Sequence, residues 1–205
     1  MIKNIIFDMG QVLIRFDRDV FLDRVGVTDS ADREMLKREV FLSLEWARMD
    51  RGSLTDAEAA EIICRRVPER LHEAVVKLVS FWDRPILEIP GMYELVEELK
   101  NKGYGIYLLS NASLRQHDYW PRIPASRFFD GTVVSADVKL VKPQPEIYLL
   151  LMMKFSLRAE ECFFVDDAVL NAEAAYACGM QTAVFHGDAA ELRGKLRAAG
   201  VDVDP

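Results

Sequence analysis

Apolar residues follow two different rhythms along this chain. Residues 2–8 (IKNIIFD) form a short Ile-rich run ending on a carboxylate, the pattern of a strand buried on both faces. A polar break follows at Arg15 to Asp19, and from there to about Asp83 the sequence reads as helix after helix. Within that stretch Thr55-x-x-Glu58 is a capping box, followed by Ala59, Ile62 and Ile63 on one helical face. Past Pro85 the texture alternates. Pro90-Gly91 opens a helix carrying Met92, Leu95, Val96 and Leu99, with Gly103 where a terminating glycine belongs. A strand over Tyr104–Leu109 ends in Ser110-Asn111, and a shorter one is expected near Thr132–Ser135. A helix over about 145–155, a strand Cys162–Val165, a small-residue helix Asn171–Cys178 and a last strand Gln181–Phe185 complete the pattern.

Strand-helix alternation of this kind predicts an α/β fold, a doubly wound parallel sheet (Rossmann-like). The helical block then reads as a small helical-bundle cap inserted after the first strand. The expected division is 1–15 and 85–205 for the catalytic core and 16–84 for the cap. At 205 residues the chain suffices for one good core plus a small appended unit.

Composition narrows the function more than the fold. Half the residues are hydrophobic and 29% are charged, an ordinary balance for a soluble globular chain. The net charge of −7 argues against a nucleic-acid partner, which needs a clustered basic surface. The longest apolar run, Ile147 to Met153, is too short to cross a bilayer, so no membrane partner is expected. Cys64, Cys162 and Cys178 lack metal-binding spacing and read as reduced thiols of a cytoplasmic protein. The first strand begins almost at once, leaving no room for a signal peptide. A monomer or weak homodimer is expected.

Ligands of an open parallel sheet bind outside the carboxyl ends of its strands. Four strand or loop ends here carry polar groups: Asp8, Ser110-Asn111, Lys142 and Asp166-Asp167. Taken singly each has a plain reading: a turn cap, a turn pair, a solvated lysine, a helix-capping pair. Together they make a site, and converging carboxylates need a cation and a lysine to coexist. All-oxygen donors without histidine or thiolate favour Mg²⁺.

The runs F-D-M-G-Q-V-L, L-L-S-N, K-P-Q-P-E-I-Y and F-F-V-D-D-A-x-x-N resemble, in that order, the four motifs of the haloacid dehalogenase superfamily. The resemblance spans 5–14 and 85–187. The D-x-G first motif, Trp120-Pro121 and Glu45 through Gly52 look closest to the bacterial α-D-glucose-1-phosphate phosphatase subgroup. The resemblance implies a Mg²⁺-dependent phosphatase acting on a small phosphorylated metabolite, such as a sugar phosphate, through an aspartyl-phosphate. It implies Asp8 as nucleophile and metal ligand, Ser110 and the Asn111 backbone as phosphoryl-binding groups, and Lys142 as the neutralising cation. Asp166 and Asp167 hold the metal directly or through water, the Gly10 carbonyl is a further ligand, and Asn171 orients the acidic loop. Most phosphatases of the superfamily carry an aspartate at the Gly10 position as general acid and base. Its absence leaves three options: a good leaving group, water, or a cap carboxylate such as Glu45. Arg115, His117 and Trp120 are candidates for lining the substrate pocket, and Trp46 and Arg48 either pack the cap or touch substrate. The alternatives are a 2-haloacid dehalogenase, which the acidic pair disfavours, and a non-catalytic phospho-ligand-binding domain, which only Gly10 supports.

Overall fold

The computed structural model describes residues 1–204. Five parallel strands form one sheet in the order β3-β2-β1-β4-β5: β1 (Asn4–Phe7), β2 (Gly105–Ser110), β3 (Gly131–Val134), β4 (Cys162–Asp166) and β5 (Gln181–Val184). The doubly wound parallel sheet expected from the alternation is the one observed. β1 sits at its centre, paired with β2 on one side and β4 on the other. The chain order reverses there, so the carboxyl ends of β1, β2 and β4 open onto one crevice.

Both faces of β1 are buried because both are covered. Ile5 and Phe7 point into a cluster with Met92, Leu95 and Leu99 of α6 (Met92–Asn101) and Leu192 and Leu196 of α11 (Ala189–Ala198). Ile6 points the other way, against Ile147, Tyr148 and Leu151 of α9 (Pro145–Phe155) and Ala175 of α10 (Val169–Ala177). This is the period-two alternation of a strand with an apolar layer on each side. Gly103 closes α6 at φ +88°, a left-handed conformation that glycine adopts without strain. Two small differences from the sequence reading stand out. The strand expected at 132–135 begins and ends one residue earlier, and Ser135 instead starts the short helix α8 (Ser135–Val138). Helix α11 was not expected, since only two of its ten residues are buried leucines.

Residues 16–84 hold five helices: α1 (Arg18–Arg24), α2 (Ser30–Leu36), α3 (Leu44–Asp50), α4 (Asp56–Cys64) and α5 (His72–Phe81), with a π-helical turn at Lys37–Phe41. They enclose a cluster of their own, built on Leu22, Leu36, Val40, Ile63, Val75 and Leu78. The Thr55–Glu58 capping box forms at the start of α4.

Three contacts seat this helical layer on the sheet layer. Gly52, at φ +70°, lies so close to Ala136 that any side chain would strike its carbonyl. The Ser135 hydroxyl donates to the Asp50 carbonyl and accepts from Ala112 N–H. Arg115, in the short helix region after β2 that includes α7 (Gln116–Tyr119), pairs with Asp56 of α4 and with fully buried Asp83. Arg122 also pairs with Asp83. Asp83→Ala would strip the shared carboxylate from both guanidinium groups. The expected cost is about 3 kcal/mol, or a fall in Tm of about 6–12 °C for a chain of this size. Thermal unfolding of the variant checks this, and a shift below 2 °C would contradict it.

Candidate active site

Strand ends place all of the polar groups at the sheet's carboxyl edge except Lys142. Asp8 follows β1 directly, and its N–H donates to Val165 O of β4 at 2.8 Å. Ser110 is the last residue of β2 and Asp166 the last of β4. Lys142 lies in the loop between α8 and α9. Its ammonium stands 2.7 Å from Asp8 Oδ1 and 2.7 Å from Asp166 Oδ2, and all three side chains are buried. Asp167 is exposed at the rim, and carboxylate oxygens of Asp8, Asp166 and Asp167 lie within 4.8 Å of one another.

Around this centre the loops hold one another. The Asn111 amide takes both sides of the Lys142 backbone: Lys142 N–H donates to Asn111 Oδ1 at 2.8 Å, and Asn111 Nδ2 donates to Lys142 O at 3.0 Å. Asp166 Oδ1 accepts from Ala168 N–H at 2.8 Å and from Asn171 Nδ2 at 3.0 Å. Asp166 therefore both shapes the turn into α10 and holds the lysine. The Ser110 hydroxyl is buried and has no hydrogen-bond partner among the described residues.

A cavity of about 230 Å³ opens from Asp8, Gly10, Asn111 and Asp167 toward the helical layer. Its upper wall is apolar and aromatic: Phe16, Trp46, Met49, Val79, Trp82 and Tyr119. Phe16 meets Trp46 and Trp82 edge to face at 5.5 and 5.0 Å between ring centres. One further carboxyl group, Asp50, belongs to this wall.

Other residues named from the sequence lie elsewhere. Glu45 is turned away, gripped by both Nη atoms of Arg66 at 3.0 and 2.6 Å. That pairing holds its carboxyl below the ordinary glutamate value. Arg115 is spent on Asp83 and Asp56, His117 on Asp137, and Trp120 packs against Phe129. None of these four lines the cavity, and of the cap residues considered only Trp46 does. The one cavity carboxyl group that sequence reasoning did not name, among the described residues, is that of Asp50.

The chain matches the haloacid dehalogenase-like hydrolases over residues 2–179. It belongs to that family. A D-ribitol-5-phosphate phosphatase of Bacteroides thetaiotaomicron is 26% identical, covering 89% of this chain and 91% of its own. A sesquiterpene phosphatase of Aspergillus oryzae is 28% identical, covering 87% of each. A solved haloacid dehalogenase family enzyme of B. thetaiotaomicron, in complex with magnesium and inorganic phosphate, superposes with a TM-score of 0.68. It is 26% identical, and the match covers 94% of this chain and 99% of that one. The chain spans only 34% and 51% of two longer curated relatives that it also matches.

In this hydrolase the electrostatics of the edge follow from burial. Burial pushes Asp8 up to about 7, with Asp166 adding to the shift and Lys142 opposing it. Burial works against the Lys142 ammonium too, but Asp8 and Asp166 outweigh it and hold its pKa above the ordinary lysine value. Burial and the neighbouring Asp166 likewise raise Asp167. Three carboxylates against one ammonium leave a surplus of negative charge, and every donor atom is a hard oxygen. That donor set fits a divalent cation such as Mg²⁺.

The raised Asp8 makes a stability prediction. Its protonated form is favoured by folding, so this contribution is full below the ordinary carboxylate value of 3.8 and is lost as pH rises through about 7. Asp8→Asn removes the penalty. In buffer containing a chelator, the variant should melt above the wild type at pH 8 and near it at pH 4. A gap that shrinks as pH rises would contradict the assignment.

Proposed function

We propose that this hydrolase is a phosphatase that cleaves a small phosphorylated metabolite through a phosphorylated Asp8. The observation that carries the reading is the Lys142 ammonium, 2.7 Å from both Asp8 and Asp166, with Asp167 in the same cluster. Phosphoryl transfer needs in-line positioning and neutralised charge more than it needs covalent chemistry from the protein. Asp8 attacks phosphorus from the end of β1. Lys142 neutralises charge on the nucleophile and on the incoming phosphoryl group. Ser110 and the Asn111 backbone receive phosphoryl oxygens, while the Asn111 side chain keeps Lys142 in place. Asp8, Asp166, Asp167 and the Gly10 carbonyl would hold Mg²⁺, with Asn171 fixing Asp166. Asp167 is the freer ligand, because both oxygens of Asp166 already accept hydrogen bonds. When bound, the cation supplies charge neutralisation at the phosphoryl group and favours the ionised carboxylates. A dehalogenase would have no use for that acidic pair.

The D-x-G motif makes a sugar 1-phosphate such as glucose 1-phosphate the first substrate to test. Its anomeric oxygen leaves more readily than an ordinary alkoxide. A second reading has its own support. The wall of Phe16, Trp46, Met49, Val79 and Trp82 offers few hydrogen bonds to a polyol, and one relative is named a sesquiterpene phosphatase. An apolar alcohol phosphate of isoprenoid type suits that wall. The three free thiols suit a reducing compartment such as the cytoplasm.

A panel of sugar, polyol and isoprenoid monophosphates, assayed with and without Mg²⁺, separates these readings. Turnover should vanish in EDTA, and Asp8→Asn should retain under about 1% of wild-type activity, since it removes the nucleophile at constant volume. Mg²⁺ at about 100 times its Kd should stabilise the protein by about 2.7 kcal/mol. That corresponds to a rise in Tm of about 5–10 °C, and Asp167→Asn should suppress it. Full activity in EDTA would sink the metal-dependent reading.

A further inference from the structure

Gly10 leaves the nucleophile loop without a proton donor, and Glu45 cannot replace one because Arg66 holds both its oxygens. The cavity itself contains another carboxyl group. Asp50 ends α3, the helix whose Trp46, Met49 and Asp50 (i, i+3, i+4) form one wall above Asp8 and Gly10. Among the described residues its carboxyl has no hydrogen bond or ion pair; the titratable groups that act on it are Asp8 and Tyr119, which line the same cavity, and Asp56, which does not. Its backbone, in contrast, is pinned to the sheet layer. Ser135 donates to the Asp50 carbonyl, and two residues on Gly52 lies against Ala136. A free acid on a fixed backbone, facing the nucleophile across the substrate cavity, is positioned for chemistry.

We propose that Asp50 is the general acid and base of this hydrolase, delivered from the helical layer in place of the side chain missing at Gly10. The inference rests on the phosphatase reading. In the first half-reaction Asp8 forms its bond to phosphorus as the ester P–O bond breaks, and the Asp50 proton goes to the departing oxygen. In the second, Asp50 takes a proton from water as the water oxygen bonds phosphorus. The Asp8–P bond breaks, inorganic phosphate leaves, and Asp50 is protonated again. Burial, with the charges of Asp8 and Asp56, lifts the Asp50 carboxyl to about 7, which suits a group that must both give and take a proton.

The test is kcat/KM for a series of phosphate monoesters, from an acidic phenol to a primary alcohol, on wild type and Asp50→Asn. A donated proton prevents charge from building on the leaving oxygen, so the wild type should depend only weakly on leaving-group pKa. Asp50→Asn should lose about 100-fold or more on the alkyl ester yet stay within a few-fold on the most acidic phenol. Gly10 offers a complementary variant: its φ is ordinary and an added Cβ meets nothing within 4 Å. Gly10→Asp in the Asp50→Asn background should restore alkyl-ester hydrolysis. A steep dependence in the wild type, or equal losses across the series in Asp50→Asn, would overturn the role of Asp50. A wild type inactive on every ester with Mg²⁺ present would overturn the phosphatase reading itself, and Asp50's role with it.

Discussion

The ammonium of Lys142 is the interaction on which the rest of the site depends. Burying a lone charge costs several kcal/mol, and burying two carboxylates side by side costs more. Lys142 removes both problems at once by lying 2.7 Å from Asp8 and from Asp166. The arrangement survives only because each partner is held by something else. Asn111 fixes the lysine backbone from the end of β2, and Ala168 N–H and Asn171 fix Asp166 from the start of α10. The Asn171 carbonyl in turn accepts from the buried Tyr148 hydroxyl of α9 at 2.9 Å. Four loops are thus tied to one cation, and the sheet order brings those loops together.

This explains which parts were legible in the sequence. Asp8, Ser110 and Asp166 each stand at the end of an apolar strand, and in a parallel sheet those ends share a side. Strand periodicity therefore fixes the neighbourhood of Asp8, Ser110 and Asp166 without any knowledge of contacts. Helix α11 was invisible for the opposite reason: Leu192 and Leu196 alone are buried in a segment of which four residues in ten are charged, and tertiary packing overrides so weak a periodicity. The helical layer was harder still. Glu45 and Asp50 are two acids on one short helix, about 140° apart around its axis at 100° per residue. Nothing in their spacing says which faces the cavity. Arg66, twenty-one residues beyond Glu45, decides it by claiming Glu45. Arg115 and His117 misled in the same way, since adjacency to the second motif carries no information about Asp83 or Asp137.

The cavity wall has consequences beyond shape. Phe16, Trp46 and Trp82 place an aromatic lid over carboxylates, and in such low-polarity surroundings charges interact more strongly than in water. The same surroundings favour neutral carboxyls, which is why both Asp8 and Asp50 are lifted to about 7. For a nucleophile that is the wrong direction, and for a proton donor it is the right one.

A single environment cannot by itself give two carboxyls opposite duties. The asymmetry has to come from what stands beside each. Asp8 belongs to the oxygen cluster with Asp166 and Asp167 and touches Lys142, whereas Asp50 lies outside that cluster and has no cationic partner among the described residues. A divalent cation seated among the three aspartates would favour ionised Asp8 much more than ionised Asp50. The pair would then separate into an ionised nucleophile and a protonated donor, the division of labour that acid-base catalysis near neutral pH requires. On this argument glycine is tolerable after the nucleophile because the proton is carried by the opposite wall. The anchoring of Asp50 through Ser135 and Gly52 then serves to set the distance between the two walls.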